Sequence, residues 1–283
     1  MAQYSLYMLR KYKILKSTLL LTTQPIKPMK TSASSPSKSN DDAFVLRGIS
    51  SMATKSILST LTGAYEEATG ISVHIESVGG VDAATRVKNG EAFDVIILAS
   101  DAIDRLTTAG HIQINSRHDW ALSSIAIAVK AGTPQPSIID EKSFKVAVLA
   151  SPTISYSTGP SGVYLEKLFE SWGEAGNIKS RIVVPPPGTP VGQLVANGEA
   201  SLGFQQLSEL INLSGIDIVG TLPNDISYIT TFSAGISNLI GEDKKRTEAV
   251  KSFLEFLSSE KVESIKHQQG MSFLKGLNTI KTI

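Results

Sequence analysis

The feature that most constrains the fold is a motif that occurs twice. Val87-Lys88-Asn89-Gly90-Glu91-Ala92 precedes the apolar run Asp94-Val95-Ile96-Ile97-Leu98-Ala99, and Val195-Ala196-Asn197-Gly198-Glu199-Ala200 precedes Ser201-Leu202-Gly203-Phe204. In each copy the Asn-Gly pair ends a helix, because glycine enters the left-handed conformation that closes a helix at no steric cost. A short apolar run after such a stop reads as a buried strand. The upstream segments echo as well, Ile75-Glu76-Ser77-Val78-Gly79-Gly80 leading into the first helix and Val183-Val184-Pro185-Pro186 into the second. The repeat predicts an α/β chain of two similar lobes, each a mixed sheet flanked by helices, in place of one sheet.

A chain of 283 residues, 41% hydrophobic and 19% charged, has room for one large or two small globular domains. Its net charge of +1 provides no electrostatic reason to expect nucleic acid or an acidic membrane as partner. Without cysteine there is no disulfide, thiolate metal site or cysteine nucleophile. His74, His111, His118 and His267 lack metal-ligand spacing, so neither a metal nor a cofactor is expected. No apolar run approaches the roughly 20 residues of a membrane span, so no transmembrane segment is expected.

Residues 1–42 differ from the rest. Arg10, Lys11, Lys13, Lys16, Lys27, Lys30 and Lys38 all precede the first acid, Asp41, and the stretch from Thr31 to Asn40 is Ser-rich. This basic leader reads as disordered or cleaved. Its best apolar core, Ile14 to Leu21, is short and interrupted by Lys16, which is atypical of a secretory signal. The location is periplasmic if the leader is a signal and cytoplasmic otherwise.

The folded part starts with a strand at Phe44-Val45-Leu46 and a helix from about Ala53 to Thr69, with Ile57, Leu58, Leu61 and Tyr65 on its inner stripe. Ile71–Ile75 and Asp94–Ala99 are strands, and Asp101 caps a helix to Ala109. Ile125–Val129 is a strand, Phe144–Val148 starts a further element, and a helix runs from Val163 to Trp172. Val184 ends a strand at Pro185-Pro186-Pro187, followed by a turn at Gly188, a helix from Val191 to Ala196 and a strand from Ala200 to Phe204. Strands at Ile216–Gly220 and Ile229–Phe232 precede helices at Lys244–Leu257 and Glu260–His267. A chain that leaves one lobe and returns crosses twice, near Trp120 and between Leu222 and Phe232, which makes a hinge. The expected division is 43–121 for the first part of lobe one, 122–225 for lobe two, and 226–283 for the return and C-terminal helices.

Small, hydroxyl-bearing residues recur where strands turn into helices. Ser50 and Ser51 precede the first helix, where their hydroxyls either cap it or face a ligand. Ser157-Thr158-Gly159-Pro160-Ser161-Gly162 precedes another helix. Free N–H groups and hydroxyls of this kind can hold an oxyanion or a carboxylate by neutral dipoles, although a plain strand-to-helix turn has the same composition.

With Ser50-Ser51, Ser77-Val78-Gly79, Ser161-Gly162 and Gly198 to Gln206 in this order, the chain from Phe44 onward resembles the periplasmic binding protein type II fold. More narrowly, it resembles the molybdate-binding-protein-like solute-binding proteins of ABC transporters. The resemblance implies a cleft between the lobes that holds a small anion with Ser hydroxyls and backbone N–H groups, and a membrane permease as partner. Carried over by position, the contacts are Ser50 or Ser51 and Ser77 from lobe one, and Ser161, Gly162 and Val191 from lobe two. The chain departs from that pattern at Gln205-Gln206, where molybdate binders place a Tyr, and it carries Arg47 in its first strand. Two amides and a guanidinium suit a carboxylate with several oxygens, although Arg47 is equally a surface charge.

Ser161-Gly162-Val163-Tyr164-Leu165 and Gly203-Phe204-Gln205-Gln206-Leu207-Ser208-Glu209-Leu210 are also similar to bacterial aconitate isomerase. That likeness implies an alternative activity, cis/trans interconversion by allylic proton transfer without a cofactor. Its acid/base candidates are Glu209, Tyr156 and His74, none of them singled out by spacing. The shorter Ser77-to-Asn89 segment counts against the same substrate.

Overall fold

A computed structural model describes residues 44–186 and 188–272. The leader at 1–42, Pro187 and the end of the expected C-terminal region lie outside the described residues. β1 (Val45–Ser51) pairs in parallel with both β2 (Ser72–Val78) and β3 (Val95–Ala99). A single turn at Met52–Thr54 leads into α1 (Lys55–Thr69), which buries Ile57, Leu58, Leu61 and Tyr65 and stops at Gly70 with φ of 72°. α2 (Gly80–Lys88) links β2 to β3.

α3 (Ser100–Thr108) follows β3, and its cap differs from expectation. Ala99 occupies the cap position with no side-chain bond, while Asp101 lies inside the first turn and pairs with Arg105 at 2.8 Å. A carboxylate there still faces the positive end of the helix, and its partner one turn on fixes it.

β4 (His118–Lys130) spans 13 residues and changes partners along its length. Residues 118–124 pair antiparallel with β8 (Ile229–Ile236), and residues 125–130 pair with β6 (Leu202–Gln206) and β7 (Ile216–Thr221). β5 (Ile154–Tyr156) lies parallel to β6. The strand order is β2-β1-β3-β8-β4-β6-β5, with β7 beside β4, so the two half-sheets are continuous where the repeat suggested separate sheets. The physical reason is length: one strand long enough to serve both halves needs no loop between them.

The Phe144–Val148 run is the interior of α4 (Glu141–Ala150), with a reciprocal cap in which Asp140 Oδ1 accepts from the Ser143 N–H at 2.8 Å. α5 (Pro160–Ser171) begins three residues earlier than expected, with Pro160 in its first turn, where a missing N–H does no harm. α6 (Ala175–Lys179) follows. Ile182 forms an isolated bridge to Ile154 and the Val183 N–H donates to the Ile154 carbonyl at 2.8 Å, but no strand follows, since successive prolines have no N–H to donate. α7 (Val191–Asn197) and α8 (Leu207–Leu210) flank β6, and α9 (Lys244–Leu257) and α10 (Glu263–Gln268) are the last helices among the described residues. Gly90 and Gly198, the stops of the repeated motif, share a φ of 80°.

Apolar packing divides in the same way as the strand pairing. Leu46, Tyr65, Trp120, Phe232 and Phe253 lie on one side of the first half-sheet, and Ile49, Phe93, Ile96 and Leu98 on the other. Ile127, Phe144, Phe169 and Phe204 fill one side of the second half-sheet, and Ala126, Leu194 and Leu210 the other.

Asp94 ties α9 to the first strand. Its Oδ2 accepts from the Arg47 backbone N–H and from Arg246 Nη1, both at 2.7 Å, and Arg246 Nη1 also donates to the Val45 carbonyl at 3.2 Å. Asp94→Ala strands a backbone donor and a partly buried guanidinium together. It should lower unfolding free energy in urea by about 2–3 kcal/mol, with an unchanged dependence on denaturant.

Candidate functional site

Parallel pairing brings the C-terminal ends of β1, β2 and β3 to one edge. Ser50 lies opposite Ser77 in this register, and their Oγ atoms are 2.7 Å apart. Ser51, next along and 8% exposed, has an Oγ without a hydrogen-bond partner among the described residues. It makes no side-chain cap; the turn is held instead by Thr54 Oγ1 donating to the Ser51 carbonyl at 3.0 Å. Gly80, the first residue of α2, lies against it, since a Cβ there would be 3.6 Å from that of Ser51.

The second half repeats the arrangement. β5 and β6 are parallel, and the loop after β5 brings Ser157 Oγ to 2.9 Å from Ser161 Oγ in the first turn of α5. Gly162 has no substitute there, because a Cβ would lie 1.7 Å from the Ser157 carbonyl oxygen. Ser155 Oγ, fully buried on β5, has no partner among the described residues.

Gln205 and Gln206 project from opposite faces of β6 and do different things. Gln205 is fully used: its Oε1 accepts from the Gly192 N–H at 3.2 Å and its Nε2 donates to Glu209 Oε1 at 2.8 Å. The amide after Val191 is therefore taken by a side chain. Gln206 donates through Nε2 to Thr230 Oγ1 at 2.7 Å, and its Oε1 is buried without a partner among the described residues. Thr230 pairs across the strands with Ser123, whose Oγ is likewise buried and unpartnered. Thr230 and Ser123 belong to the crossing strands, and nothing in local sequence marks them. Burial pushes the Glu209 carboxyl up to about 7, against the opposing pull of the Gln205 side chain and the Gln206 N–H.

Two contacts join the halves beside these residues. Ser208 Oγ donates to the Ala53 carbonyl at 2.8 Å, and Gln269 Oε1 accepts from Ser56 Oγ at 2.7 Å and Asn212 Nδ2 at 2.9 Å.

The other candidates are Arg47, His74 and Tyr156. Arg47 is exposed in mid-strand opposite His74, three residues before Ser50. There it lies near Glu76 and Glu91, which the hydrogen bonds of Arg86 and, more weakly, the charge of Arg47 hold below the usual carboxylate range. His74 is exposed in mid-β2. Tyr156 is buried edge-on to Phe169, with its hydroxyl 3.4 Å from Glu166 Oε1; burial, then that carboxylate, pushes it up to about 12. Tyr156 directly precedes Ser157, and a Cβ at Gly162 would lie 3.1 Å from its Cδ2, whereas His74 lies three residues before Ser77 on β2. The described site residues offer hydroxyls and amides, and these donors suit a small anion.

The family model described as bacterial extracellular solute-binding protein matches residues 46–272. Aconitate isomerase from a Pseudomonas species is 32% identical over 247 residues, covering 84% of this chain and 92% of that protein. Molybdate-binding protein ModA from Azotobacter vinelandii is 27% identical over 130 residues, 44% of this chain and 50% of that protein. Among solved structures, the periplasmic molybdate-binding protein of Azotobacter vinelandii superposes with a TM-score of 0.65 at 21% identity, covering 81% of this chain and 99% of that one. The fold is the type II periplasmic binding protein fold.

Gly162→Ala should break the loop that pairs Ser157 with Ser161. A thermal melt should show destabilisation of about 2 kcal/mol or more, because a backbone carbonyl cannot move aside as a side-chain tip can.

Proposed function

The chain belongs to the bacterial extracellular solute-binding protein family, and from that membership and the geometry of its site we propose that it captures a small anion between its two halves for ABC-type uptake. The observation that carries this reading is the presence of two hydroxyl pairs, Ser50 with Ser77 and Ser157 with Ser161, each at the C-terminal edge of a half-sheet. Ser51 adds a free hydroxyl and α5 a helix N-terminus, so an anion is met by fixed dipoles with no counter-ion. In this reading Ser50, Ser51 and Ser77 bind from the first half, and Ser161, Gly162 and Val191 from the second. Gln206 faces the ligand from the crossing, whereas Gln205 supports the wall. The ligand is an oxyanion of the molybdate type or an organic carboxylate. The protein works on the periplasmic side with a membrane permease, and ligand binding stabilises the closed pairing of the halves.

A second reading is favoured by the aconitate isomerase relative, which this chain covers almost end to end. In it, the bound tricarboxylate loses a proton from one allylic carbon and regains one at the other, moving the double bond. Glu209, with its carboxyl near 7, has the proton affinity that such a carrier needs.

Thermal unfolding of the full chain against molybdate, tungstate, sulfate and cis- and trans-aconitate tests both readings. An anion at 100 times its dissociation constant adds about 2.7 kcal/mol, a clear melting shift. Ser50→Ala combined with Ser161→Ala should abolish that shift, since each hydroxyl contact to a charged group contributes about 1.5–3 kcal/mol. An unchanged shift in the double variant would remove the serine clusters from the site. Proton NMR of an aconitate mixture then separates the readings: interconversion means the enzyme, and binding without turnover means the receptor.

A further inference from the structure

Glu209 is a carboxyl beside the proposed site whose hydrogen-bond partner is neutral. Its Oε1 accepts from Gln205 Nε2, while Gln205 Oε1 accepts from the Gly192 N–H, so one carboxamide separates the carboxyl from the first turn of α7. The Gln206 backbone N–H also favours its ionised form. The neighbouring Ser208 bonds the Ala53 carbonyl, two residues past Ser51, which places the start of α8 against the first half as well.

Among the described residues, no cation is paired with this carboxyl. β6, α7 and the Met52–Thr54 turn contain no titratable residue, and Lys55 at the start of α1 is exposed. β4 carries His118, Asp119 and Lys130 at its ends; Asp119 is held by Arg117 and Ser233, and Lys130 Nζ reaches toward Gly198. In the segment beside Leu207, Lys266 Nζ donates to the Trp120 carbonyl and His267 lies 3.6 Å from Glu263.

We propose that anion capture at this site is coupled to uptake of a proton at Glu209, an inference that rests on the reading of the cleft as an anion site. A partly buried carboxylate with neutral partners is already near the limit of what its surroundings can hold ionised. A second negative charge one carboxamide away adds repulsion in a medium that screens poorly, and the pair relieves it by protonation. The sign follows from linkage. The carboxyl binds its proton more tightly in the anion-bound protein than in the free one. Affinity is therefore full below the free-state midpoint and falls as pH rises toward the bound-state midpoint. With the carboxyl poised at about 7 in the unliganded protein, the sensitive window opens just above neutrality.

The test is calorimetry of the full chain with molybdate and with trans-aconitate, both fully ionised above neutrality, in two buffers of different ionisation enthalpy. The wild type should take up a substantial fraction of a proton per anion at about pH 8, and its dissociation constant should rise about tenfold between about pH 7 and 9. Glu209→Gln keeps an acceptor for Gln205 and should bind with neither proton uptake nor that pH dependence. Binding without proton uptake in the wild type overturns the inference and leaves the anion site standing. A pH dependence that persists in Glu209→Gln also overturns it, by moving the proton elsewhere. Failure of the wild type to bind either anion overturns the reading of the cleft and this inference with it. The wild-type proton count decides the matter even if the variant does not fold.

Discussion

Parallel pairing of β1 with its neighbours is the constraint on which the site depends. Strands that run the same way end at the same edge, and each is followed by a turn into a helix, so that edge collects side chains and N–H groups from several distant segments. Register then decides which residues meet. Ser50 stands opposite Ser77 because Gly48 stands opposite Ile75 and Val95. A slip of one residue would turn both serines to the other face and put Ile49 in their place. The close neighbours of Gly48 help to pin that register: a Cβ there would lie 2.4 Å from Ile75 Cδ1 and 2.7 Å from Val95 Cγ1.

The second constraint is the shared strand. Because β4 pairs with β8 along residues 118–124 and with β6 and β7 beyond, the halves are joined by ladder hydrogen bonds as well as by connections. Polar groups buried where the partners change, Ser123, Thr230 and Gln206, are then placed by both halves at once. Ser208 to Ala53 and Gln269 to Ser56 and Asn212 add contacts across the same junction. Any relative motion of the halves has to bend two long strands and break these few bonds. Bending is inexpensive in an irregular ladder, and β4 has a register shift on each side of the crossing.

The fold was legible because its signals are local and repeated. The Asn-Gly stops, the apolar runs after them and the amphipathic stripe of α1 each follow from conformational preferences within a few residues. The placement of Ser50, Ser77 and Ser161 at strand-to-helix turns follows from the same local signals. The small residues at 157–162 read as a loop, yet α5 starts within them at Pro160, because proline is well suited to a first turn. Arg47 suits either a carboxylate partner or a surface charge from the sequence, and strand register places it near Glu76 and Glu91, which sequence distance does not reveal. The Gln205 bridge between Gly192 and Glu209 joins three elements through one carboxamide, and the Ser123–Thr230 pair needs the order of the crossing strands. Neither leaves a pattern in the chain.

Among the described residues no ion pair holds a cation at the serine clusters, which bears on what the proposed site would do with an anion. A bidentate guanidinium would bind a carboxylate tightly and independently of pH across the neutral range. Hydroxyls and amides bind it through many smaller terms that all depend on position, so a modest separation of the halves weakens every one together. A carboxyl in the wall works in the same direction, since its ionisation opposes the bound charge. Both proposed activities need that property, a receptor to hand its ligand on and an isomerase to release product and return a proton. The scaffold therefore leaves the choice between them to the group that faces the ligand's carbon atoms, not to the groups that hold its charge.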